Sequence, residues 1–565
     1  MILRRWGFPD AVLFPTRYEI RTRPFYLLQL QKFPRRHRAV SNLNSMFSAI
    51  IRATFSVCLL AAAFAVAPAQ SPSPTPSLTP SIQTALTQTV EELKARIAER
   101  IMRPEVRRGQ IGVKIVSLNS GKVVFENNAE KYFMPASNMK NFTVATAVEK
   151  LTPEYRIVTS VFSSAPPDAG GTVKGLRIFG RGDISISYSF NDGDNFRGID
   201  RLVDAITGAG VKRIEGDIVG DETYFTGNPV PGSWEWDDLQ WYYGAEISAL
   251  SLNDNAQSLS VSPGPVGYPC SVKFTPFNPI VRITNLCTTT AAGTPRTLAI
   301  VKKIDRNIVE ITGTLPAGNA GFSGNITVSR PAELFVALLK QRLELKDVIV
   351  TGQTRAINVK TSVPPAMNFE IAKLESAPMS LIAAKTMKPS QNMYTETLLW
   401  TLGENFRAKA VASGVAASAR DSGELGIEAV KAFMKEIGVA EDGIIQHDGS
   451  GLSRHNLITP SAVVQLYTYM VKQSKYSQAW SDSLTIGGVD GTLRNRFRGT
   501  KAAGNVRGKT GTIDQVSALS GYVTTAAGEQ LVFSTIVNGV NENSVRVSLI
   551  DEIVVALANF NGRID

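Results

Sequence analysis

A serine hydroxyl placed three positions before a lysine can form a nucleophile and base pair, and Ser137-Asn138-Met139-Lys140 offers that pair. A hydroxyl is a poor nucleophile until a group within hydrogen-bond reach takes its proton. Lys140 can do so only if it is neutral, and burial, a second cation such as Lys509, and the positive end of a helix would each lower its pKa. Two more patterns follow in order, Ser390-Gln391-Asn392 and Lys509-Thr510-Gly511. Taken singly, a chain of this length holds on the order of one or two matches to each of the first two by chance. Context raises their weight. Pro135-Ala136-Ser137 leads into the apolar stretch Asn141–Val148, which puts Ser137 at a helix N-terminus with Lys140 one turn on. The Ser137 N–H and a donor on the Lys509–Thr512 segment, the Thr512 N–H, could then receive a developing oxyanion, each contributing about 3–4 kcal/mol.

Other chemistries find less support. No Gly-x-Ser-x-Gly elbow occurs, and neither His447 nor His455 has the context of a Ser-His-Asp hydrolase. No Cys pair at metal-ligand spacing accompanies these histidines, so no metal site is expected. The net charge of +11 is concentrated near the N-terminus, which removes the argument for a nucleic-acid partner.

The elements that must position these residues come from both ends of the chain. A helix is expected from about Ile82 to Met102. Ile111–Val116 and Val123–Phe125 flank a turn at Asn119-Ser120-Gly121-Lys122, and Ala518–Thr524 and Leu531–Asn538 flank Ala526-Ala527-Gly528-Glu529. Both read as β-hairpins. With a strand at Lys509–Thr512 and a last helix at about Val545–Asn559, two N-terminal and three C-terminal strands make a five-stranded antiparallel sheet. Between them, residues 163–364 carry short β-like runs such as Thr172–Phe179, Ile214–Val219, Val281–Asn285 and Ile308–Thr312. They predict a mostly-β insertion, either one unit or two subdomains, inside a catalytic domain of residues 87–162 plus 365–565.

The three patterns resemble those of penicillin-recognising serine enzymes, and most of all the low-molecular-mass penicillin-binding D-alanyl-D-alanine carboxypeptidase/endopeptidase family with a large insertion. Gly180-Arg181-Gly182-Asp183, Gly216-Asp217, Gly232-Ser233-Trp234-Glu235-Trp236, Asp448–Arg454 and Gly488–Leu493 extend the likeness. It implies an α+β fold with a serine β-lactamase/transpeptidase-like domain, helices on both faces of the sheet, and no cofactor. Ser137 would be the nucleophile, Lys140 its base and Ser390 a proton relay. Asn392 would bind the substrate backbone, and Lys509, Thr510, Gly511 and Thr512 would line the carboxylate subsite. Gln391 departs from the Asp common in the family. The implied partners are peptidoglycan stem peptides and cross-links, with β-lactams as covalent inhibitors. A serine β-lactamase and a non-catalytic wall-binding module on the same fold are the alternatives. The stretch Asp448–Arg454 is either part of the site or a structural turn.

Residues 1–45 are a basic extension without a clear role, and Met46 could be the initiator. Residues 46–69 read as a secretory signal, with Arg52, the apolar run Val57–Ala67 and small residues at Ala67-Pro68-Ala69; residues 70–86 are a Pro/Ser-rich linker. Export to the periplasm or cell-wall space follows, with no transmembrane segment in the mature chain. Cys270 and Cys287 would then be its only cysteines, either joined or two buried thiols. Mass spectrometry of the native protein should find an N-terminus near Gln70; an abundant cytoplasmic form retaining Cys58 would contradict export.

Overall fold

The computed structural model describes residues 87–304 and 306–564. The basic extension, the export segment, the linker and the first residues of the expected N-terminal helix lie outside the described residues.

The two ends of the unit Thr84–Asp565 build one antiparallel sheet. Its strand order is Val123–Asn127, Gln110–Ser117, Gln530–Asn538, Val516–Thr524, Arg507–Ile513, Thr485–Ile486. The five expected strands are all present, and the two-residue strand Thr485–Ile486 adds a sixth at the edge. Gln530–Asn538 is buried at every position after its first because helices cover both faces. On one face Val113, Ile115, Leu519 and Phe533 meet Ile550, Ile553 and Val554 of the C-terminal helix Asn543–Asn559. The helix Val90–Ile101 joins this layer through Leu93 and Ile97, one turn apart, and begins at a reciprocal Thr89–Glu92 capping box. On the other face Ala518, Val532 and Ile536 meet Phe142, Leu466 and Tyr467, from the helices Lys140–Leu151 and Pro460–Lys472. Each such side chain, fully buried, contributes about 1.5–3 kcal/mol.

The insertion is less purely β than expected, and its boundaries lie further out than 163 and 364. Val158–Ser163 and Phe369–Glu375 pair with each other, Ser163 opposite Phe369 and Val158 opposite Glu375. They belong to a five-stranded sheet with Leu176–Phe179, Ile218–Asp221 and Thr354–Ile357, in which the last three run parallel. Parallel neighbours need crossover connections, usually helical. Here Arg197–Gly208 and Pro331–Glu344 supply helices, and their Leu202, Val203, Phe335 and Leu339 form a core with Leu176, Ile178 and Ile218. A second core is all β: Leu259, Val261, Val309, Ile311 and Leu315 pack around Cys270 and Cys287. These cysteines form a disulfide with a Cα–Cα distance of 5.4 Å, which decides between the two states left open by sequence.

Because the disulfide closes a short loop inside its own small core, Cys287→Ser should lower the stability of that core by about 3 kcal/mol. Hydrogen exchange should show the loss across residues 256–327 and leave the amides of Gln530–Asn538 protected. Equal deprotection of both would show that the two regions unfold as one.

Candidate active site

Ser137 sits on a short 3₁₀ turn, Ala136–Met139, that runs directly into the helix Lys140–Leu151. Three segments press on this turn. Asn138 Nδ2 donates to the carbonyl of Lys509 at 3.0 Å, tying the turn to the strand Arg507–Ile513. Gly511 lets that strand approach: a Cβ there would stand 2.5 Å from the Pro135 carbonyl oxygen and 3.1 Å from the Ser137 nitrogen. On the other side Gly451, in the left-handed region at φ +84, lies so close to the Ala136 carbonyl that any Cβ would overlap it.

Lys140 Nζ, fully buried, lies 3.0 Å from Ser137 Oγ, 2.6 Å from Asn392 Oδ1 and 2.8 Å from the Ser450 carbonyl. Asn392 Oδ1 and the Ser450 carbonyl can only accept. A neutral amine has two N–H bonds and one lone pair. With both N–H bonds directed at those acceptors, the lone pair is left facing the Ser137 hydroxyl. Burial lowers Lys140 to about 7, against the Asp448 and Glu396 carboxyls, which raise it.

Both carboxyls stand behind the Asp448–Arg454 loop. Glu396 accepts from the N–H groups of Gly449 at 2.9 Å and Ser450 at 2.7 Å, so it aims the Ser450 carbonyl at Lys140. Burial first, then Asp448, pushes Glu396 up to about 8, despite those hydrogen bonds. Asp448 accepts from the N–H groups of Gly451 and Ser453, each at 2.7 Å, and from Trp234 Nε1 at 2.9 Å. The loop is thus both a structural turn and the source of an acceptor for Lys140.

Lys509 is also fully buried. Its Nζ lies 2.8 Å from Ser390 Oγ and 2.8 Å from the Thr510 carbonyl. Burial first, then the nearby Lys140, holds it well below the usual lysine range. Ser390 takes a left-handed backbone, φ +65, just before the helix Asn392–Ala412. Gln391 turns away from this group and caps that helix, its Oε1 accepting from the Met393 N–H at 2.9 Å. That explains why an amide serves where the family commonly has Asp. Thr510 Oγ1 bonds Thr492 Oγ1 at 2.7 Å, while Thr512, further along the strand, is exposed.

All eight candidate residues lie outside the insertion, with Ser137, Lys140, Ser390, Asn392, Lys509 and Gly511 joined by the contacts above. Sequence reasoning missed Glu396, the Ser450 carbonyl, Asn138 and Thr492. A signal existed for Glu396, which follows Asn392 by one helical turn and shares its face. His447 and His455 lie beside each other and make no side-chain contact with Ser137 or Lys140.

Comparison with known proteins gives a consistent result. The family described as D-Ala-D-Ala carboxypeptidase 3 (S13) matches residues 93–560. A D-alanyl-D-alanine carboxypeptidase of Actinomadura sp. (strain R39) is 32% identical over 488 residues, covering 84% of this chain and 86% of that protein. The D-alanyl-D-alanine carboxypeptidase DacB of Haemophilus influenzae is 24% identical over 434 residues, 76% of this chain and 85% of that one. The crystal structure of penicillin binding protein 4 from Haemophilus influenzae superposes with a TM-score of 0.69 at 22% identity, covering 84% of this chain and all of that one, and so shares the fold.

The Lys140 value sets a pH dependence. Since the base works only when neutral, the rate of acylation of Ser137 by a β-lactam should rise with pH through about 7 and then level. Glu396→Gln removes a carboxyl that raises Lys140, so the same limb should move to lower pH in stopped-flow profiles. An unmoved limb would show that Lys140 does not sense this carboxyl.

Proposed function

This chain belongs to the D-Ala-D-Ala carboxypeptidase 3 (S13) family and is a serine D-Ala-D-Ala carboxypeptidase, and from that premise we propose which of its residues carry the reaction, where it acts, and that it also cleaves cross-links as an endopeptidase. The observation that carries the assignment is the pair of acceptors on Lys140, which leaves its lone pair for Ser137.

Lys140 takes the Ser137 proton as Oγ bonds to the carbonyl carbon of the penultimate D-Ala. The oxyanion so formed is received by the N–H groups of Ser137 and Thr512. Collapse breaks the peptide bond, and the proton reaches the departing amine through Ser390, whose hydroxyl is already bonded to Lys509 Nζ. Water then attacks the ester and frees Ser137. Asn392 contributes twice: its Oδ1 holds Lys140, and its carboxamide lies where the substrate backbone passes. The terminal carboxylate of the substrate is received by Lys509 with the Thr510 and Thr512 hydroxyls. An anion arriving there raises the lowered pKa of Lys509, so substrate binding itself restores the cation that captures it.

The physiological substrates on this reading are stem peptides and cross-links of peptidoglycan in the periplasm or cell-wall space, reached by way of the export segment 46–69. Among the described residues no helix is long and apolar enough to cross a membrane. A β-lactamase would need a carboxylate free to activate a deacylating water. The two carboxyls nearest Lys140, Glu396 and Asp448, are instead engaged by backbone N–H groups.

Ser137→Ala should abolish both labelling by a fluorescent penicillin and release of D-Ala. Thr510→Val should slow acylation about tenfold, the worth of a hydrogen bond to a charged group, while a slow adduct still forms on Ser137. Mass spectrometry of penicillin-treated protein locates the adduct; a modified residue other than Ser137 would overturn the assignment.

A further inference from the structure

We propose that the cleft between the catalytic body and the disulfide-bearing half of the insertion binds a glycan strand, a chain of N-acetylated sugars, so that the peptide it carries is held near Ser137; this rests on the peptidase reading above. The cleft has a volume of about 1100 Å³. That exceeds the roughly 300–1,000 Å³ of ordinary small-ligand clefts and gives room for an extended chain.

One wall is a sheet face. Ala256–Ser262, Ser271–Thr275 and Phe322–Thr327 pair so that Ser323, Ser260 and Lys273 stand in one row and Asn325, Ser258 and Thr275 in the next. All six line the cleft, and among the described residues none of their side chains has a hydrogen-bond or ion-pair partner. The rim offers the rings of Tyr188 and Tyr242, flat apolar faces with a polar tip on which a sugar ring can stack. Lys273 and Lys385 make no ion pair among the described residues and could receive an acidic substituent.

The wall argues for sugar over peptide. A peptide docking on a sheet uses the main-chain groups of an edge strand. Here a face presents only hydroxyls, an amide and an ammonium, the partners of sugar alcohols and acetamides. Position argues for a link to catalysis. Pro389 and Gln391, on either side of Ser390, and Gly491, next to Thr492, line the opposite wall. A strand held here runs along the outer side of the loop that carries Ser390. It raises the local concentration of its peptide and leaves the bond-making groups untouched.

The test uses the full chain carrying Ser137→Ala, titrated with a peptide-free tetrasaccharide of alternating N-acetylglucosamine and N-acetylmuramic acid, and separately with a free stem peptide. Calorimetry should detect the saccharide, and Ser260→Trp and Lys273→Glu should each weaken it at least about tenfold. In the active enzyme the same two substitutions should lower kcat/KM on glycan-linked peptide several-fold. D-Ala release from a short free peptide and penicillin acylation should stay unchanged, which also certifies folding. Equal kinetic loss on both substrates, or a cleft whose substitutions affect the free peptide and not the saccharide, would overturn the proposal. Failure of the unaltered enzyme to cleave the free peptide would instead count against the peptidase reading, while the saccharide titration still decides the cleft.

Discussion

Two lysine amines are buried in one site, and the arrangement around them follows from that constraint. A buried ammonium without a partner is costly enough that the group gives up its proton instead. The surroundings of Lys140 and Lys509 favour this outcome: their direct contacts are a carboxamide oxygen, two backbone carbonyls and two serine hydroxyls, all neutral. A carboxylate in direct contact would hold a lysine in its charged form and disable it as a base. Glu396 and Asp448 are kept one layer back, with their oxygens on the backbone N–H groups of the loop between them and the amine.

This layering explains how the insertion braces the site without touching Ser137. Trp234 of the insertion donates to Asp448, and the Tyr243 carbonyl accepts from Asn392 Nδ2 at 2.9 Å. Both contacts fix groups that in turn fix Lys140. The orientation of the Lys140 amine therefore depends on two parts of the chain at once, the helix that bears it and the insertion that braces its acceptors. Such a site tolerates little looseness, because a misplaced acceptor would free an N–H bond and turn the lone pair away from Ser137.

The readable parts of the sequence are those whose signal is local. Both hairpins at the chain ends showed alternating apolar residues around turn residues, and their positions agree with the observed strands to within a few residues. Ser137 and Lys140 could be paired because one turn of helix brings them together. The insertion was harder. Strands such as Thr172–Val173 and Arg213–Ile214 have two residues each, too few for any alternation, and their parallel pairing joins segments far apart in sequence. Val158–Ser163 and Phe369–Glu375, which pair across more than two hundred positions, were not singled out as strands. Glu396 shares a helix face with Asn392, but nothing in a helix pattern distinguishes a carboxyl that faces a loop backbone from one that faces water. The same holds for Trp234, whose partner Asp448 is 214 positions away.

The sheet that carries the site joins Gln110–Ser117 to Gln530–Asn538 along their whole length. A ribosome delivers the first of these strands long before the second exists. Until the last hairpin has emerged, the early strand has no neighbour on that side, and the turn bearing Ser137 has no Lys509 strand to lean on. The insertion, whose own pairings span a shorter stretch, can acquire its form earlier. The active centre is therefore among the last parts of the molecule to be assembled, and a chain interrupted during synthesis or transport carries Ser137 without the machinery that makes it reactive.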